Sequence, residues 1–292
     1  MFIRIILFWE FCFLLVIYRP QQGKKFSAHS KWLHAQAKIH AIQLYWYETC
    51  GHFETDLEQV KHLIPKYTQV IVLGGDGTLN LAVNAIAGTQ VVLSLLPCGT
   101  GNDFSRQFGY SMQQWRNTIF AGVVRNIDIG QVGNRYFINI AGVGFNAEVV
   151  SAMGGKKPFG KLSYTIAGLV KLALYKGTPI EYEYGRQATM MCLFSNGRHF
   201  AAGLTPAPDA RLDDGVLQVI TIPAVAWYKR LWCFALMLFG RHTRLRWVSV
   251  RSCQQLEIKT SGLPIEADGD LIATTPAVVK CKAALLQFKV LN

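Results

Sequence analysis

Apolar positions along the chain fall into two textures. From residue 13 to about 125, short apolar runs alternate with segments of helical spacing. Phe13–Tyr18, Ile42–Tyr47, Val70–Leu73 and Val91–Leu96 read as strands rich in branched residues. The segments Asp56–Leu63, Leu79–Ala87 and Phe104–Phe108 carry apolar residues three and four apart, the period of one helix face. This β-α-β alternation predicts a mostly parallel sheet, with ligands in the loops at the carboxyl ends of its strands. Beyond about residue 127, short runs at Tyr136–Ala141, Met190–Phe194, Val216–Ile222, Gln255–Lys259 and Val278–Val290 are separated by Gly, Pro, Asn and Asp. They predict a strand-rich second domain, a sandwich, with helical insertions at Gly160–Tyr175 and Ala224–Phe239. The expected fold is an α/β N-terminal domain (1–127) with a parallel sheet, followed by a β-sandwich-like C-terminal domain (128–292).

Composition narrows the class. Hydrophobic residues make up 51% of the 292 and charged residues 16%, with a mean hydropathy of +0.20. No apolar run reaches the 18 or so residues that a membrane-spanning helix needs. The excess is spread through the chain, as in a globular protein that touches membranes. Ile5 to Tyr18 resembles a signal peptide, but Glu10 interrupts it and no small-residue cleavage site follows. The reading is a first strand at Phe13–Tyr18 behind an extension that a membrane anchor would also explain.

The net charge of +12 and pI near 9.4 favour anionic partners. No zinc-finger, RNP or basic-zipper pattern accompanies the charge, so a nucleic-acid partner is not expected. The seven cysteines (12, 50, 98, 192, 233, 253, 281) include no C-x-x-C pair and read as reduced cytoplasmic thiols. The histidines contain no zinc-ligand spacing.

The candidate chemistry starts at two glycine turns. Val70–Leu73 runs into Gly74-Gly75-Asp76-Gly77-Thr78-Leu79-Asn80. Glycine lets backbone N–H groups approach a ligand, and a helix beginning there adds its positive dipole end, so the junction is built for phosphate. Asp76 among these donors implies a divalent cation or a structural hydrogen bond. Val91–Leu96 leads into a second such loop, Pro97-Cys98-Gly99-Thr100-Gly101-Asn102-Asp103-Phe104-Ser105-Arg106. Two such loops after neighbouring strands are expected to converge and hold a nucleoside triphosphate from two sides.

Two other glycine motifs are set aside. Gly142-Val-Gly144-Phe-Asn-Ala147 fits a dinucleotide fingerprint, but no acid follows between Glu148 and Glu181. Gly155–Lys161 nearly fits a Walker A loop, but Leu162 stands where a Ser or Thr is required.

In the second half, Leu212-Asp213-Asp214-Gly215 and Glu266-Ala267-Asp268-Gly269-Asp270 are acidic turns. The first reads equally as an Asp-Gly hairpin or a Mg²⁺ site. A third feature is Trp227, Tyr228, Lys229, Arg230 and Trp232, leading into Cys233–Phe239 and then Arg241, Arg244 and Arg246. Aromatic residues beside basic ones suit a bilayer surface, and a core helix with solvated ends is the alternative. Lys156, Lys157, Lys161, Lys171 and Lys176 form another basic region.

GGDGT followed by P-C-G-T-G-N-D-F-S-R resembles the diacylglycerol-kinase-like family of lipid kinases. NAD kinases and phosphofructokinases share only the first part. Phe137–Ala147, Gly160–Tyr164, Asn196–Arg198, Pro208–Gly215 and Asp268–Asp270 resemble the family's later motifs in order and spacing. The resemblance implies ATP and Mg²⁺, a lipid alcohol such as diacylglycerol as acceptor, and a cytoplasmic enzyme at the membrane periphery. It implies ATP contacts at Gly74, Gly75, Asp76, Gly77, Thr78, Asn80, Thr100, Gly101, Asn102 and, more weakly, Thr49. It also implies a structural Mg²⁺ at Asp214 with the carbonyls of Arg211 and Val216, and catalytic carboxylates at Asp268 and Asp270, with Asp270 the favoured base.

Two departures stand out. Asp270 replaces the family's Glu, shortening its reach by about 1.5 Å, against a proton-transfer window of about 2.6–3.2 Å. Arg19-Pro20-Gln21-Gln22-Gly23 replaces N-P-x-S-G. The alternatives are an NAD-kinase-like enzyme, against which Gly99–Arg106 argues, and a non-catalytic nucleotide- or lipid-binding protein.

Overall fold

The computed structural model describes residues 13–20, 23–153, 171–182, 185–201 and 203–292. The first twelve residues, most of the Gly160–Tyr175 insertion and the near-Walker stretch lie outside them. The first layer is β1 (Phe13–Tyr18), α1 (Lys24–Ile39), β2 (Gln43–Glu48), α2 (Phe53–Leu63), β3 (Gln69–Gly74), α3 (Asp76–Ile86) and β4 (Val92–Pro97). After these come α4 (Asp103–Arg106) and α5 (Met112–Ala121). The strands run parallel in the order β2-β1-β3-β4. All six residues of β3 are buried, as a parallel strand covered on both faces requires. The β1–β2 connection moves one way across the sheet, and β2–β3–β4 moves the other. Right-handed crossovers therefore place α1 on one face and α2 and α3 on the opposite one. The order reverses between β1 and β3, so the crevice opens beside the first glycine loop.

The second layer is antiparallel. It comprises β5 (Val123–Val132), β6 (Arg135–Phe137), β7 (Ile140–Gly144), α6 (Phe145–Met153), β8 (Thr178–Tyr182), β9 (Gly185–Ser195) and β10 (Leu217–Pro223). Next come α7 (Trp227–Met237), β11 (Ser249–Cys253), β12 (Gln255–Ile258), β13 (Pro264–Ala267), β14 (Asp270–Thr274) and β15 (Ala277–Val290). Alternate residues of β9 serve different cores. Cys192 and Phe194 pack with Val143, Val219 and Ile265 among the antiparallel strands of the second layer. Met191 and Leu193 pack with Ile220, Cys233 and Met237 beneath α7. A sheet covered on both faces accounts for the high apolar content without a spanning segment.

Two features depart from the sequence reading. The run Tyr136–Ala141 is broken into β6 and β7, because the N–H groups of Ile138, Asn139 and Ile140 are diverted to the carboxylate of Asp268. Strand β15 serves both layers. Its first half pairs with β12, and its end lies parallel to β4 through Phe288 and Leu93. Its pairing with β5 shifts register between Lys282 and Leu286, and Ala284 there has φ +52°.

Candidate active site

The two glycine loops converge, as their places on neighbouring strands require. A Cβ on Gly99 would stand 2.5 Å from the Cα of Gly75, so the loops touch backbone to backbone, Gly99 has no room for a side chain and Gly75 is tightly packed. Thr78 is buried against Gly74, whereas a Cβ on Gly77 would meet nothing within 4 Å. Gly77 is thus the glycine of the first loop that faces open space, at the first turn of α3, where N–H groups are unpaired and the dipole is positive.

Asp76 reaches across to the second loop, where its Oδ1 accepts the N–H of Phe104 at 3.3 Å. The carboxylate thereby serves the start of α4, the structural hydrogen bond that its sequence position left open. Asn102 adopts the left-handed region at φ +52° and donates from Nδ2 to the Gly99 carbonyl at 2.8 Å. Beside this loop lies a cavity of 310 Å³, lined among others by Lys25, His29, Gly99, Thr100, Asn102 and Arg106. Burial, with Arg116 and Lys25 nearby, lowers the His29 pKa to about 4, so its imidazole is neutral at pH 7. Thr49 closes β2 beside β1, its N–H donating to the Tyr18 carbonyl at 2.8 Å.

Helix α3 is sewn to the second layer. Asn84 Nδ2 donates to the Tyr136 carbonyl at 2.9 Å, and its Oδ1 accepts the Tyr136 N–H at 2.8 Å. Asn80 Nδ2 donates to Asp268 Oδ2 at 2.8 Å. Asp268 also accepts the N–H of Ile138 at 2.8 Å and those of Asn139 and Ile140 at 3.1 Å. Four donors fill its acceptor sites. Burial nevertheless pushes its pKa up to about 6, against the pull of those donors.

Asp270 differs. It opens β14 with an exposed side chain and accepts no hydrogen bond from any described residue. The surrounding protein raises its pKa, and the charge of Arg135 draws it back. Asp268 thus joins the layers, while the side chain of Asp270 is left open to solvent.

Asp214 is exposed in its turn, with Oδ1 accepting the Val216 N–H at 3.2 Å. Arg211 pairs with Asp213 at 3.2 Å. No group of three His, Cys, Asp or Glu residues among the described residues could hold a metal.

Residues 13–132 match the diacylglycerol kinase catalytic domain, and residues 139–290 match the YegS C-terminal NAD kinase beta sandwich-like domain. The chain belongs to the diacylglycerol-kinase-like family of lipid kinases. Among relatives, a protein of Pseudomonas putida named as a YegS-like lipid kinase is 32% identical over 225 residues, 73% of this chain and 76% of its own. A Mycobacterium tuberculosis protein named diacylglycerol kinase is 29% identical over 251 residues, 80% of this chain and 81% of its own. The fold is shared with a solved structure described as a diacylglycerol kinase from Bacillus anthracis, at TM-score 0.69 and 19% identity over 97% of this chain and 98% of that one.

Three residues of this family member had no assigned role in the sequence reading. Asp128 is buried in β5, its Oδ2 accepting the Gly215 N–H and its Oδ1 the Ala284 N–H, both at 2.7 Å. It holds the Asp213–Asp214 turn and the irregular point of β15 together. A lone acid between Ile127 and Ile129 was the available signal. Arg135 lies 3.5 Å from the Phe53 ring centroid and 2.9 Å from Glu54, clamping the start of α2 to β6. Nothing in the sequence marks that contact.

The third is Glu266, fully buried in β13. Its oxygens accept the N–H of Gly269 at 2.7 Å and Asn146 Nδ2 at 2.8 Å. Burial raises its pKa to about 7. Between its unfolded value near 4.5 and about 7, the folded form binds the extra proton, so this contribution to stability is lost as pH rises through that window. Glu266→Gln keeps an acceptor for Gly269. A turned Asn146 amide, whose Oδ1 is otherwise buried without a partner, would receive the new amide donor. The variant is expected to gain on the order of 1–3 kcal/mol at pH 8 and little at pH 5. Chemical denaturation at the two pH values checks this.

Proposed function

We propose that the chain transfers the γ-phosphoryl group of ATP to the hydroxyl of a lipid alcohol of the diacylglycerol type, working at a membrane surface from the cytoplasmic side. One observation supports the reading: Asp268 accepts a hydrogen bond from Asn80 of the glycine-loop helix, and the turn from Asp268 leads directly to Asp270 at the start of β14. The relatives' names and the match to both family domains support the same chemistry.

The N–H groups at the start of α3, with Gly74, Gly75, Gly77 and Thr78 shaping the turn, receive the phosphates. Thr100, Gly101 and Asn102 hold the nucleotide from the other side, with Thr49 near its edge. Lys25 and Arg106 add positive charge around the adjoining cavity. Asp76 and Asn102 keep the two loops in register. Asp270, which the charge of Arg135 favours in its ionised form, accepts the proton of the lipid hydroxyl as its oxygen bonds to the γ-phosphorus and ADP leaves. Such a reaction rests mainly on positioning and charge stabilisation.

The carboxylate of Asp214 with the carbonyls of Arg211 and Val216 is a hard-oxygen donor set that suits Mg²⁺. When bound there, the ion would hold the turn that Asp128 supports from behind. Incubation of the protein with ATP labelled at the γ-phosphate and a total lipid extract, followed by chromatography, tests the reading. A labelled lipid that disappears on omission of the protein is expected, and label only in inorganic phosphate would overturn it.

A further inference from the structure

On α7 the structure leaves an apolar face turned outward. Cys233 and Met237 are buried against the sheet, yet the opposite side carries no charge. Trp227 and Trp232 are each 59% exposed, and Phe239 is 75% exposed, with Tyr228 and Leu238 also open. At 100° per residue, Tyr228, Trp232, Ala235, Leu238 and Phe239 share that outward side. A solvated helix would place polar residues there. The helix is also held firmly. Arg230 Nε donates to the Val225 carbonyl at 2.6 Å, and its Nη1 donates to the carbonyls of Ala173 and Tyr175. At the other end, Thr205 N–H donates to the Met237 carbonyl at 2.9 Å.

Charge identifies what covers this face. Between Asp214 and Glu257 there is no acidic residue, and there are six basic ones. Arg241, Arg244 and Arg246 are exposed in the segment that follows the helix, and Lys229 is exposed in its first turn. A symmetric contact with a second copy would set these like charges against one another. An anionic bilayer takes both features, with Trp and Tyr at the headgroup level and Lys and Arg on the phosphates. At 11 residues the helix is about 16 Å long. It is too short to cross a bilayer but suited to lying in its surface.

Resting on the lipid-kinase reading, we infer that α7 is the element that seats the enzyme on an anionic bilayer, with Trp232 and Phe239 inserted and Arg241, Arg244 and Arg246 on the headgroups. The test is sedimentation of the full chain with phosphatidylcholine vesicles, with and without added phosphatidylglycerol. Binding is expected to the anionic vesicles, with a blue shift of tryptophan emission, and to weaken as salt is added. Trp232→Glu with Phe239→Glu is expected to lower vesicle affinity at least tenfold, on the order of two lost apolar anchors. Arg241→Ser is expected to lower it about fivefold. Thermal unfolding of each variant near that of the parent shows that the fold is kept. Unchanged binding by the folded double variant overturns the inference. So does a concentration-dependent dimer that the double variant abolishes. Phosphoryl transfer to a detergent-dispersed diacylglycerol separates the two claims: transfer without vesicle binding sinks this inference alone, and α7-dependent binding without transfer sinks the kinase reading alone.

Discussion

Asp268→Ala is expected to destabilise the fold by about 3–5 kcal/mol and to abolish phosphoryl transfer, because one carboxylate holds the two layers together. Its loss leaves the N–H groups of Ile138, Asn139 and Ile140 and the amide of Asn80 without their acceptor. Each such orphan costs about 1–3 kcal/mol where water cannot replace the partner. This turn is half-buried, so water recovers part of that sum. The position also has φ +48°, a region that Asp and Asn tolerate better than Ala. Asp268→Asn is therefore the milder change: it keeps the backbone conformation and one carbonyl acceptor but turns an NH₂ toward donors. A urea titration ranks the three proteins, with midpoints falling in the order parent, Asn, Ala. An alanine variant within about 0.5 kcal/mol of the parent, the range of ordinary surface changes, would remove Asp268 from this role.

Asp270→Asn is expected to behave in the opposite way, keeping the fold and losing the reaction. Its side chain is exposed and bonded to no described residue, so little stability depends on it. Removing a general base typically lowers the rate about 10²–10⁴-fold. The pH dependence follows from the raised pKa of Asp270: the base works ionised, so the rate falls as pH drops through that raised value. Asp270→Glu restores the side chain usual in the family and extends the reach by about 1.5 Å; it is expected to retain transfer. Initial rates with labelled ATP and a lipid acceptor give all three comparisons. Full activity in the folded Asn variant would shift the role of base away from this residue.

Local order along the chain was enough to place the glycine loops. A buried β-branched run followed by glycines and an amphipathic stretch has few other solutions, so β3, α3, β4 and their phosphate-type turns were legible. The helix around Ala224–Phe239 was legible for the same reason, appearing as Trp227–Met237. Boundaries moved by a few residues, as in α2, which begins at Phe53.

What the sequence by itself determined was therefore the local chemistry: two anion-friendly loops, two acidic turns and a basic, aromatic helix. Only the tertiary structure decided how they are divided between work and support. Asp268 and Asp270 look alike in the chain, yet one is saturated by four donors from distant segments and the other is open. Asn80 reads as an ATP contact at the start of a helix, and its side chain, with that of Asn84, ties the layers together. Asp128, Arg135 and Glu266 gain their partners 81–156 positions away or from across the β13–β14 turn. The end of β15 joins the first sheet, completing a core that begins at Leu14. Contacts between segments so far apart leave no period or motif in the chain, because they are set by which strands become neighbours and not by the residues beside them.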